Sequence, residues 1–391
     1  MVNQLAQFEK GAIQQVGPRS LHVCHLIHSL GSGGAEQLLV EFAEAARHIG
    51  LETTVVSLMD TGGSRNADRL RSAGARVISM GLGSRWDLRA LFRAEAVLQE
   101  IRPDVLQTHL KHADLVGSWA ARRLSIPMVS TLHRIEKGGG AVERLKQKAG
   151  GYARLSGAAR TVAVSEAQRR WYLQAFDADP SRVVTVHNGI GRPVAMTEVD
   201  RAAIRAGLGA DLHEVVVTML GVMRPGKGHA DLLAAARLVP PDVPIRVVMA
   251  GEGELAGDIE RAVHDDRLLA ERVVLPGWCE DVDRLLGASD ILVHPTRDDA
   301  LPTAVMHGLA AGLPVVASDV GGVPEMVDGT VGVLVPPGDH RALADALVEL
   351  IGDPDRRTVM GRAARKRFEE EFTASAWVAR LRALYWEVMA G

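Results

Sequence analysis

Cysteine is almost absent from this chain, which has two cysteines among 391 residues. Cys24 and Cys279 lie far apart, each within an apolar run, and no CxxC or HxxEH-type spacing occurs. These features exclude a disulfide framework and argue against a structural metal site. We expect both thiols to be buried, in a protein of a reducing compartment.

Long apolar runs and a strong charge imbalance are also lacking. The sequence has no run of ~18 apolar residues, so we predict no transmembrane helix. A net charge of −3 does not suggest a nucleic-acid-binding protein. Residues 1–20 contain no apolar segment between Lys10 and Arg19, unlike a secretory signal. We interpret 1–20 as a flexible leader and expect a cytoplasmic protein.

Aromatic residues are scarce at 4%, whereas short aliphatic runs recur along the whole chain. They alternate with amphipathic stretches of roughly 10–15 residues, which predicts βα units and parallel sheets buried on both faces. Strand candidates begin at Leu21, Glu52, Ala75, Asp104, Pro127, Arg160 and Arg182 in the first half, and at Glu214, Pro244, Arg272, Asp290, Leu313 and Val331 in the second.

This number of strands exceeds one comfortable doubly wound sheet. We therefore predict an α/β protein with two Rossmann-like, doubly wound parallel-sheet domains that face a central cleft. The first spans 21–190 and the second 200–372. The polar segment 188–201, with two Gly and one Pro, is the predicted hinge. The amphipathic segment 373–391 is predicted to form a helix that packs back on the first domain.

In open α/β sheets, ligands bind beyond the carboxyl ends of the strands. After the first strand comes GSGGAEQ, where Gly33 and Gly34 precede a helix and Glu36 lies in its first turn. Backbone N–H groups of such a loop favour anions. The spacing does not fit the dinucleotide fingerprint, and Asp60 falls late in the second strand. We favour a phosphate or sugar contact over a tight turn without a ligand.

Two histidines, His109 and His133, end first-domain strand candidates, and structural and functional interpretations are equally open for both. Alternation along the first strand places His22 and His28 on one face and His25 on the other, so these three do not form a metal cluster.

The second half contains two glycine-rich loops after strands. In GVMRPGKGH, Arg224 and Lys227 precede a helix, a pattern that favours a diphosphate over a solvated basic turn. The loop MAGEGE contains Gly253.

A third candidate is the stretch RDDALPTAVMHG. Pro302 is the expected first helical residue, and the N–H groups of Ala300, Leu301 and Thr303 are free to face a ligand. Asp299 precedes the helix and His307 lies within it. Their spacing is too wide for a metal and suits a clamp on a long ligand such as a nucleotide sugar.

Several motifs in this order resemble the family 4 retaining glycosyltransferases, which have the GT-B fold. They are GGAE, STLH, AVSE, VHNGI, KGHADLLAA, AGEGE and ALPTAVMHGLAAGLPVVASDVGGVPEMV. The resemblance runs from about Leu21 to the C-terminus. It implies transfer of a sugar from a nucleotide-diphosphate donor, UDP- or GDP-linked, to a hydroxyl acceptor with retention at the anomeric carbon. The acceptor would be a glycan, a lipid-linked sugar or a small metabolite.

The resemblance also implies the mechanism. The donor would lie mainly on the second domain and the acceptor on the first, with neither a metal nor a cofactor. Basic side chains and helix N-termini would carry the diphosphate charge, and the leaving phosphate would take the acceptor proton. The transferred sugar would be a hexosyl or N-acetylhexosaminyl group, in cell-surface polysaccharide or specialised-metabolite (antibiotic) biosynthesis.

The resemblance assigns roles residue by residue. Lys227 matches the diphosphate-binding lysine, and His133 matches a histidine near the donor sugar. Asp299 matches the first acid of the family's Glu-x7-Glu motif, which touches sugar hydroxyls. The backbone of Ala300, Leu301, Pro302 and Thr303 would hold sugar and phosphate, and Gly33 and Gly34 would lie beside the diphosphate. Lys227, His133 and Asp299 are the catalytic candidates. His109 and Glu36 are the acceptor-side candidates.

Two positions depart from the family pattern. His307 replaces the second acid, which typically binds ribose, and Val222 replaces a phosphate-binding arginine. We expect Arg224 to compensate, because residues two apart on an extended chain face the same way.

The segment 134–170 is basic, with nine Lys/Arg against three Glu from His133 to Arg170. A solvated helix face, an anionic acceptor and peripheral docking at the inner membrane face are the alternatives. Two rival functions share the fold, a nucleotide-sugar 2-epimerase and a non-catalytic GT-B scaffold.

Overall fold

The computed structural model describes residues 20–31, 33–83, 87, 89–135 and 141–391, without side chains for 141–144 and 146. The predicted leader, except for Ser20, lies outside the described residues. The chain divides into two compact units. Unit 1 contains the chain up to Ala163, Tyr172–Val186 and Ala374–Gly391, and unit 2 contains Val164–Trp171 and His187–Thr373.

Unit 1 is built on a seven-stranded parallel sheet with the strand order β3-β2-β1-β4-β5-β6-β7. Strand β1 is apolar and almost wholly buried, as expected for a parallel sheet covered on both faces. The strands are β1 Leu21–Ile27, β2 Leu51–Met59, β3 Arg76–Leu82, β4 Val105–His109, β5 Met128–Thr131, β6 Arg160–Ala163 and β7 Val183–Thr185.

Helices follow most of these strands in βα alternation. They are α1 Gly34–Arg47, α2 Arg65–Ser72, α3 Arg89–Ile101, α4 Lys111–Leu124, α5 Ala141–Gly157 and α6 Glu166–Phe176, followed by a 3₁₀ turn at Pro180–Arg182. The core between sheet and helices is aliphatic, with Leu26, Val56, Leu98 and Leu106 fully buried.

Unit 2 has a six-stranded parallel sheet with the order β10-β9-β8-β11-β12-β13. Its strands are β8 Val215–Leu220, β9 Ile245–Ala250, β10 Val273–Gly277, β11 Ile291–His294, β12 Val315–Ser318 and β13 Gly332–Val335. The core packs Val217, Val247, Val293 and Leu347 together.

The helices of unit 2 are α7 Glu198–Gly207, α8 His229–Leu238, α9 Ala256–His264, α10 Arg267–Arg272, α11 Val282–Gly287, α12 Thr303–Ala310, α13 His340–Gly352 and α14 Pro354–Arg367. A 3₁₀ turn spans Val323–Glu325, and a π-helical turn spans Phe368–Phe372. The two parallel sheets confirm the predicted α/β architecture of two Rossmann-like domains.

The last helix, α15 Ala374–Ala390, belongs to unit 1. Its Trp377 packs edge-to-face on Phe42 of α1, with ring centroids 5.8 Å apart. The hydroxyl of Tyr385 donates to Gln107 in β4. No helix among the described residues is long and apolar enough to cross a membrane.

One thiol differs from expectation. Cys24 is buried in β1, where burial raises its pKa to about 12. Cys279 is only partly buried, which corrects the prediction that both thiols lie in the core. It follows the end of β10, and its Sγ–H donates to the carbonyl of Asp281 at 3.3 Å.

The predicted first domain, 21–190, differs from unit 1, because Val164–Trp171 groups with unit 2. A side-chain contact within unit 2 explains this. The Glu325 carboxylate accepts hydrogen bonds from the backbone N–H groups of Glu166 and Ala167, both at 2.8 Å, and from His187 at 3.1 Å. It therefore caps the N-terminus of α6, where a negative charge is favoured.

Burial alone would raise the pKa of Glu325. The hydrogen bonds from His187 and from the N–H groups of Ala167 and Glu166 outweigh burial and hold the pKa below its ordinary value of 4.5. The carboxylate is therefore ionised at neutral pH, and its negative charge stabilises the N-terminus of α6.

Glu325→Ala is expected to lower the free energy of unfolding by about 2 kcal/mol, because it removes charge-assisted hydrogen bonds from a helix cap. Denaturant titration measures this. Glu260→Ala, at an exposed position of α9, is the control and should change stability little.

The effect should also depend on pH. A depressed carboxyl pKa contributes stability above the unfolded pKa and loses it as the pH falls through the folded value. The difference between the parent and Glu325→Ala should therefore narrow below about pH 4.5. A difference that is constant from pH 7 to pH 3 would contradict the cap.

Candidate functional site

The strand order of each sheet reverses at one point, β1/β4 in unit 1 and β8/β11 in unit 2. In open α/β sheets, ligands bind beyond the carboxyl ends of the strands at such a point. Of the predicted catalytic candidates, Lys227 follows β8 and Asp299 follows β11. The sheet therefore brings these two to one switch point.

Two glycines shape the loop that carries Lys227. Gly226 has φ +84° and Gly228 φ +85°, in the left-handed region that favours glycine. A Cβ at Gly228 would collide with the carbonyl of Pro295. The carbonyl of Gly226 accepts from the N–H of Arg297 at 2.8 Å. These contacts join the loop after β8 to the loop after β11.

The result is an ion pair between Lys227 Nζ and Asp299 Oδ2 at 2.6 Å, with both side chains 17% exposed. His294 Nε2 lies 3.5 Å from the same carboxylate oxygen. Burial alone would raise the pKa of Asp299. The nearby His294 ring and the ammonium of Lys227 outweigh burial and bring the pKa to about 2. Asp299 therefore stays ionised at neutral pH and is a poor general base.

Some helices of unit 2 lack a side chain that caps the N-terminus. The helices α8 and α12, which follow the two site loops, have no side-chain cap, and neither has α9, which follows β9. Side chains cap α7, α10, α11, α13 and α14, at Thr197, Asp266, Asp281, Asp339 and Asp353. Uncapped N–H groups at α8 and α12 suit an anionic ligand.

Helix α12 begins at Thr303, and Pro302 is its N-cap rather than its first residue. Pro302 has an extended backbone (φ −72°, ψ 122°), so the helix begins one residue later than predicted. Ala300 and Leu301 are buried. The N–H of Gly322 donates to the carbonyl of Asp299 at 3.3 Å and so anchors the loop that precedes the helix.

The backbone from Val222 to Arg224 is not extended, contrary to the expectation by which Arg224 would compensate for Val222. The N–H of Arg224 donates to the carbonyl of Val222 at 2.9 Å, a γ-turn. Alternation of side chains therefore does not apply there. Both side chains are exposed, so a donor contact by Arg224 stays a prediction without that support.

The loop with Gly253 packs on the loop after β8. Gly253 has φ +155°, and a Cβ there would collide with the carbonyl of Met223. The N–H of Met223 donates to the carbonyl of Glu252 at 2.8 Å. This close approach of two loops is sufficient to explain why residue 253 is a glycine. The predicted contact between Gly253 and the sugar donor remains a prediction.

His307 lies on α12 with its side chain 26% exposed. Its Nδ1 is 3.5 Å from Asp283 Oδ1 of α11, at the outer limit of a hydrogen bond. The structure thus pairs His307 with Asp283, and its proposed ribose contact is not tested by this geometry.

In unit 1, Gly33 and Gly34 are exposed at the uncapped N-terminus of α1. A Cβ at Gly34 would meet no atom within 4 Å, so a ligand has room beside the backbone. Glu36 folds back over Gly33. Burial raises the pKa of Glu36, although a hydrogen bond from its own backbone N–H opposes the shift.

The two strand-end histidines come together. His109 Nδ1 lies 2.9 Å from His133 Nε2, and His109 Nε2 lies 3.0 Å from His25 Nδ1. Burial lowers the pKa of His133 to about 4 and that of His25 to about 3. Burial and the two neighbouring histidines lower the pKa of His109 well below its usual value. All three rings are therefore neutral at pH 7.

The basic segment 134–170 is less basic at its surface than its composition indicates. Arg154 is 6% exposed, and its Nε lies 2.8 Å from the buried carboxylate of Asp114. Arg154 therefore cannot contact an anionic acceptor or membrane at the protein surface. Residues 136–140 lie outside the described residues, and contact with a membrane or an anionic acceptor stays a prediction.

Sequence reasoning missed two histidines of unit 2. His294 is the last residue of β11, so the rule that selected His109 would have found it. His229 is the first residue of α8, and burial lowers its pKa to about 4. No sequence signal distinguishes its neutral, buried state from a surface histidine. Likewise, the sequence placed His25 on one face of β1 but did not predict its hydrogen bond with His109.

Comparison with known proteins agrees with this geometry. The family model "Glycosyltransferase Family 4" matches residues 32–191, and "Glycosyl transferases group 1" matches residues 214–353. The alpha-maltose-1-phosphate synthase of Mycolicibacterium smegmatis is 33% identical over 315 residues, which cover 73% of this chain and 78% of that protein. The chain belongs to glycosyltransferase family 4.

Other relatives of this family 4 glycosyltransferase extend the match. A D-inositol 3-phosphate glycosyltransferase of Mycobacterium sp. (strain KMS) is 29% identical over 384 residues, covering 90% of this chain and 86% of that protein. The crystal structure of Anabaena HepE in complex with UDP has a TM-score of 0.81 at 22% identity, over 93% of this chain and 99% of that one. HepE has also been solved in complex with UDP-glucose.

The predicted GT-B fold is confirmed by the two parallel sheets and by this structural similarity. The enzyme is a glycosyltransferase, and these relatives give no support to the epimerase alternative.

Lys227→Met is expected to raise the pKa of Asp299, because burial would then be opposed by His294 without the ammonium. NMR titration of ¹³C-labelled aspartate carboxyl groups, assigned with Asp299→Asn, measures the change. Lys366→Met, at an exposed position paired with Glu370, is the control. An unchanged titration of Asp299 in Lys227→Met would show that the ion pair does not form in solution.

Proposed function

We propose that this family 4 enzyme is a retaining, metal-independent transferase. It moves a hexosyl or N-acetylhexosaminyl group from a UDP-linked donor to a hydroxyl acceptor. The observation that carries the proposal is the buried Lys227–Asp299–His294 cluster at the β8/β11 switch point, between the uncapped N-termini of α8 and α12.

The charges of the cluster suit a nucleotide sugar. Asp299 neutralises Lys227 in an ion pair. A diphosphate would draw the ammonium toward itself, and the N-terminus of α8 would add partial positive charge. Asp299 would then be free to accept hydrogen bonds from sugar hydroxyls, for which an ionised carboxylate is a strong acceptor.

The proposed chemical step is the one that the family resemblance implies, and the low pKa of Asp299 supports it. The bond from the anomeric carbon to the β-phosphate oxygen breaks, and a bond to the acceptor oxygen forms on the same face. Because Asp299 has a pKa of about 2, it cannot take the acceptor proton efficiently. The proton passes instead to the departing diphosphate, whose charge Lys227 stabilises.

Two features support the choice of substrates. HepE, which shares the fold, has been solved with UDP and with UDP-glucose, so UDP is the proposed nucleotide and GDP the alternative. The relatives are named for maltose 1-phosphate and inositol 3-phosphate. We therefore place a phosphorylated sugar or polyol first among acceptors, ahead of a neutral glycan or metabolite.

Lys227→Ala is expected to reduce turnover by about 100-fold or more, because it removes the cation beside the departing diphosphate. The assay incubates the enzyme with UDP- and GDP-sugars and with phosphorylated and unphosphorylated acceptors, and it measures nucleotide release and product mass. Lys366→Ala is the matched surface control. Turnover within a few fold of the parent would refute the diphosphate assignment.

The same panel tests the proposal as a whole. Anomeric coupling constants of the product report retention, and activity after chelation reports metal independence. Binding without turnover of any donor would favour the non-catalytic scaffold, and inversion at the anomeric carbon would refute the retaining mechanism.

His307→Glu is expected to alter the affinity for the nucleotide, because it restores a carboxylate where a ribose hydroxyl would bind. The new carboxylate would also face Asp283, so the double variant with Asp283→Asn separates ribose binding from repulsion. Calorimetric titration with UDP and with 2′-deoxy-UDP measures both effects. If the double variant binds the two nucleotides with the same ratio as the parent, His307 is not at the ribose.

A further inference from the structure

Three histidines of unit 1 form a diagonal row, with His25 in β1, His109 at the end of β4 and His133 two residues beyond the end of β5. In the sheet register, His25 of β1 is opposite Gln107 of β4, and His109 is opposite Thr131 of β5. Each step along the row therefore moves one strand sideways and two residues toward the carboxyl edge. Because residues two apart share a face, His25, His109 and His133 lie on the same side of the sheet.

The row forms a continuous chain of hydrogen bonds. His25 Nδ1 bonds His109 Nε2 at 3.0 Å, and His109 Nδ1 bonds His133 Nε2 at 2.9 Å. His25 is 1% exposed and His109 4% exposed, while His133 is only partly buried. The chain thus runs from the core toward the carboxyl edge of the sheet, at the β1/β4 switch point.

The inner end of this chain of hydrogen bonds, at His25, determines the direction in which the bonds run. A neutral imidazole has one N–H and one lone pair, so the two bonds can run in either of two concerted directions. His25 Nε2 is buried with no hydrogen-bond partner among the described residues. The small cavity beside His25 is lined by Phe42, Leu39 and Trp377, and also by Gln107 and Thr131, neither of which hydrogen-bonds Nε2.

An orphaned buried N–H is rarer and less tolerable than an orphaned lone pair. The favoured arrangement therefore leaves the lone pair on His25 Nε2 and the proton on His25 Nδ1. His25 Nδ1–H then donates to His109 Nε2, and His109 Nδ1–H donates to His133 Nε2. Because His133 Nε2 accepts this hydrogen bond through its lone pair, the ring proton of His133 is on Nδ1.

We infer that His25 and His109 are positioning residues that hold His133 in the Nδ1–H tautomer and present that N–H as a fixed hydrogen-bond donor. The inference rests on the proposed function and on the family resemblance, which places His133 near the donor sugar. It deepens that role, since His133 would orient a sugar hydroxyl by donating to it and would not act as a base.

The backbone beside His109 supports a positional constraint. Leu110 has φ +71° and ψ 154°, a region that residues other than glycine rarely adopt. Strain of this kind persists where the surroundings fix the chain, and it concentrates at functional sites. A second buried chain runs beside the histidines, from the Tyr385 hydroxyl to Gln107 and from Gln107 Nε2 to Thr131 at 2.6 Å.

The tautomers can be measured without activity. In protein labelled with ¹⁵N in the histidine rings, chemical shifts distinguish protonated from unprotonated nitrogens, and scalar couplings across N–H···N bonds identify the bonded pairs. We expect all three rings to be protonated at Nδ1, with couplings for both bonds. Protonation at Nε2 of His25, with its N–H directed to the Phe42 ring, or the absence of both couplings, would overturn the inference.

Variants of His25 test the function of the chain, because this residue lies farthest from the edge of the sheet. His25→Leu removes the inner donor and should produce a mixture of His133 tautomers. By analogy with residues that orient other histidines, kcat should fall roughly tenfold, with the donor KM nearly unchanged. His25→Gln, whose amide can donate to His109, should retain more of the turnover than His25→Leu.

The matched control is His22→Gln in the same strand. His22 is on the opposite face and bonds Thr54 at 2.8 Å, so its replacement should leave the His133 tautomer and kcat unchanged. If His25→Leu behaves as His22→Gln does in both tautomer and kcat, His25 has no positioning role. An inactive parent protein would refute the proposed function, while the ring nitrogens would still decide the tautomer.

Discussion

The arrangement of unit 2 depends on one constraint, the close approach of the loops after β8 and β11. A carbonyl at Gly226 and a missing side chain at Gly228 bring the two loops together, which leaves Lys227 and Asp299 in direct contact. Each ion alone would be costly to bury, and the pair offsets that cost for both. Backbone contacts between the two loops therefore hold the site together.

Hydrophobic periodicity was sufficient to predict both sheets, because parallel strands buried on both faces leave continuous aliphatic runs in the sequence. The rule that ligands bind at the carboxyl ends of strands located Lys227, Asp299, His109 and His133. Local backbone geometry was less accessible. The γ-turn at Val222–Arg224 and the start of α12 depend on hydrogen bonds to neighbouring loops, which no local pattern encodes.

Side-chain contacts between different strands could not be predicted from the sequence either. His25 and His109 are 84 residues apart, and their contact follows only once the order β1-β4-β5 and its register are known. The same holds for Arg154, which composition assigns to a basic surface and which folding buries against Asp114. Charge counted along a sequence is therefore a poor guide to charge at a surface.

The position of α6 in the chain has a consequence for how this protein can be divided. Its first residues, capped by Glu325, belong to unit 2, whereas its last residues belong to unit 1. Unit 1 also requires the terminal helix α15. Neither unit is therefore a contiguous stretch of polypeptide. A chimaera made by a single crossover near residue 190 would separate Glu325 from the helix it caps and α15 from Phe42. Exchange of whole units between relatives would need several coordinated crossovers, which favours diversification by point substitution within the loops.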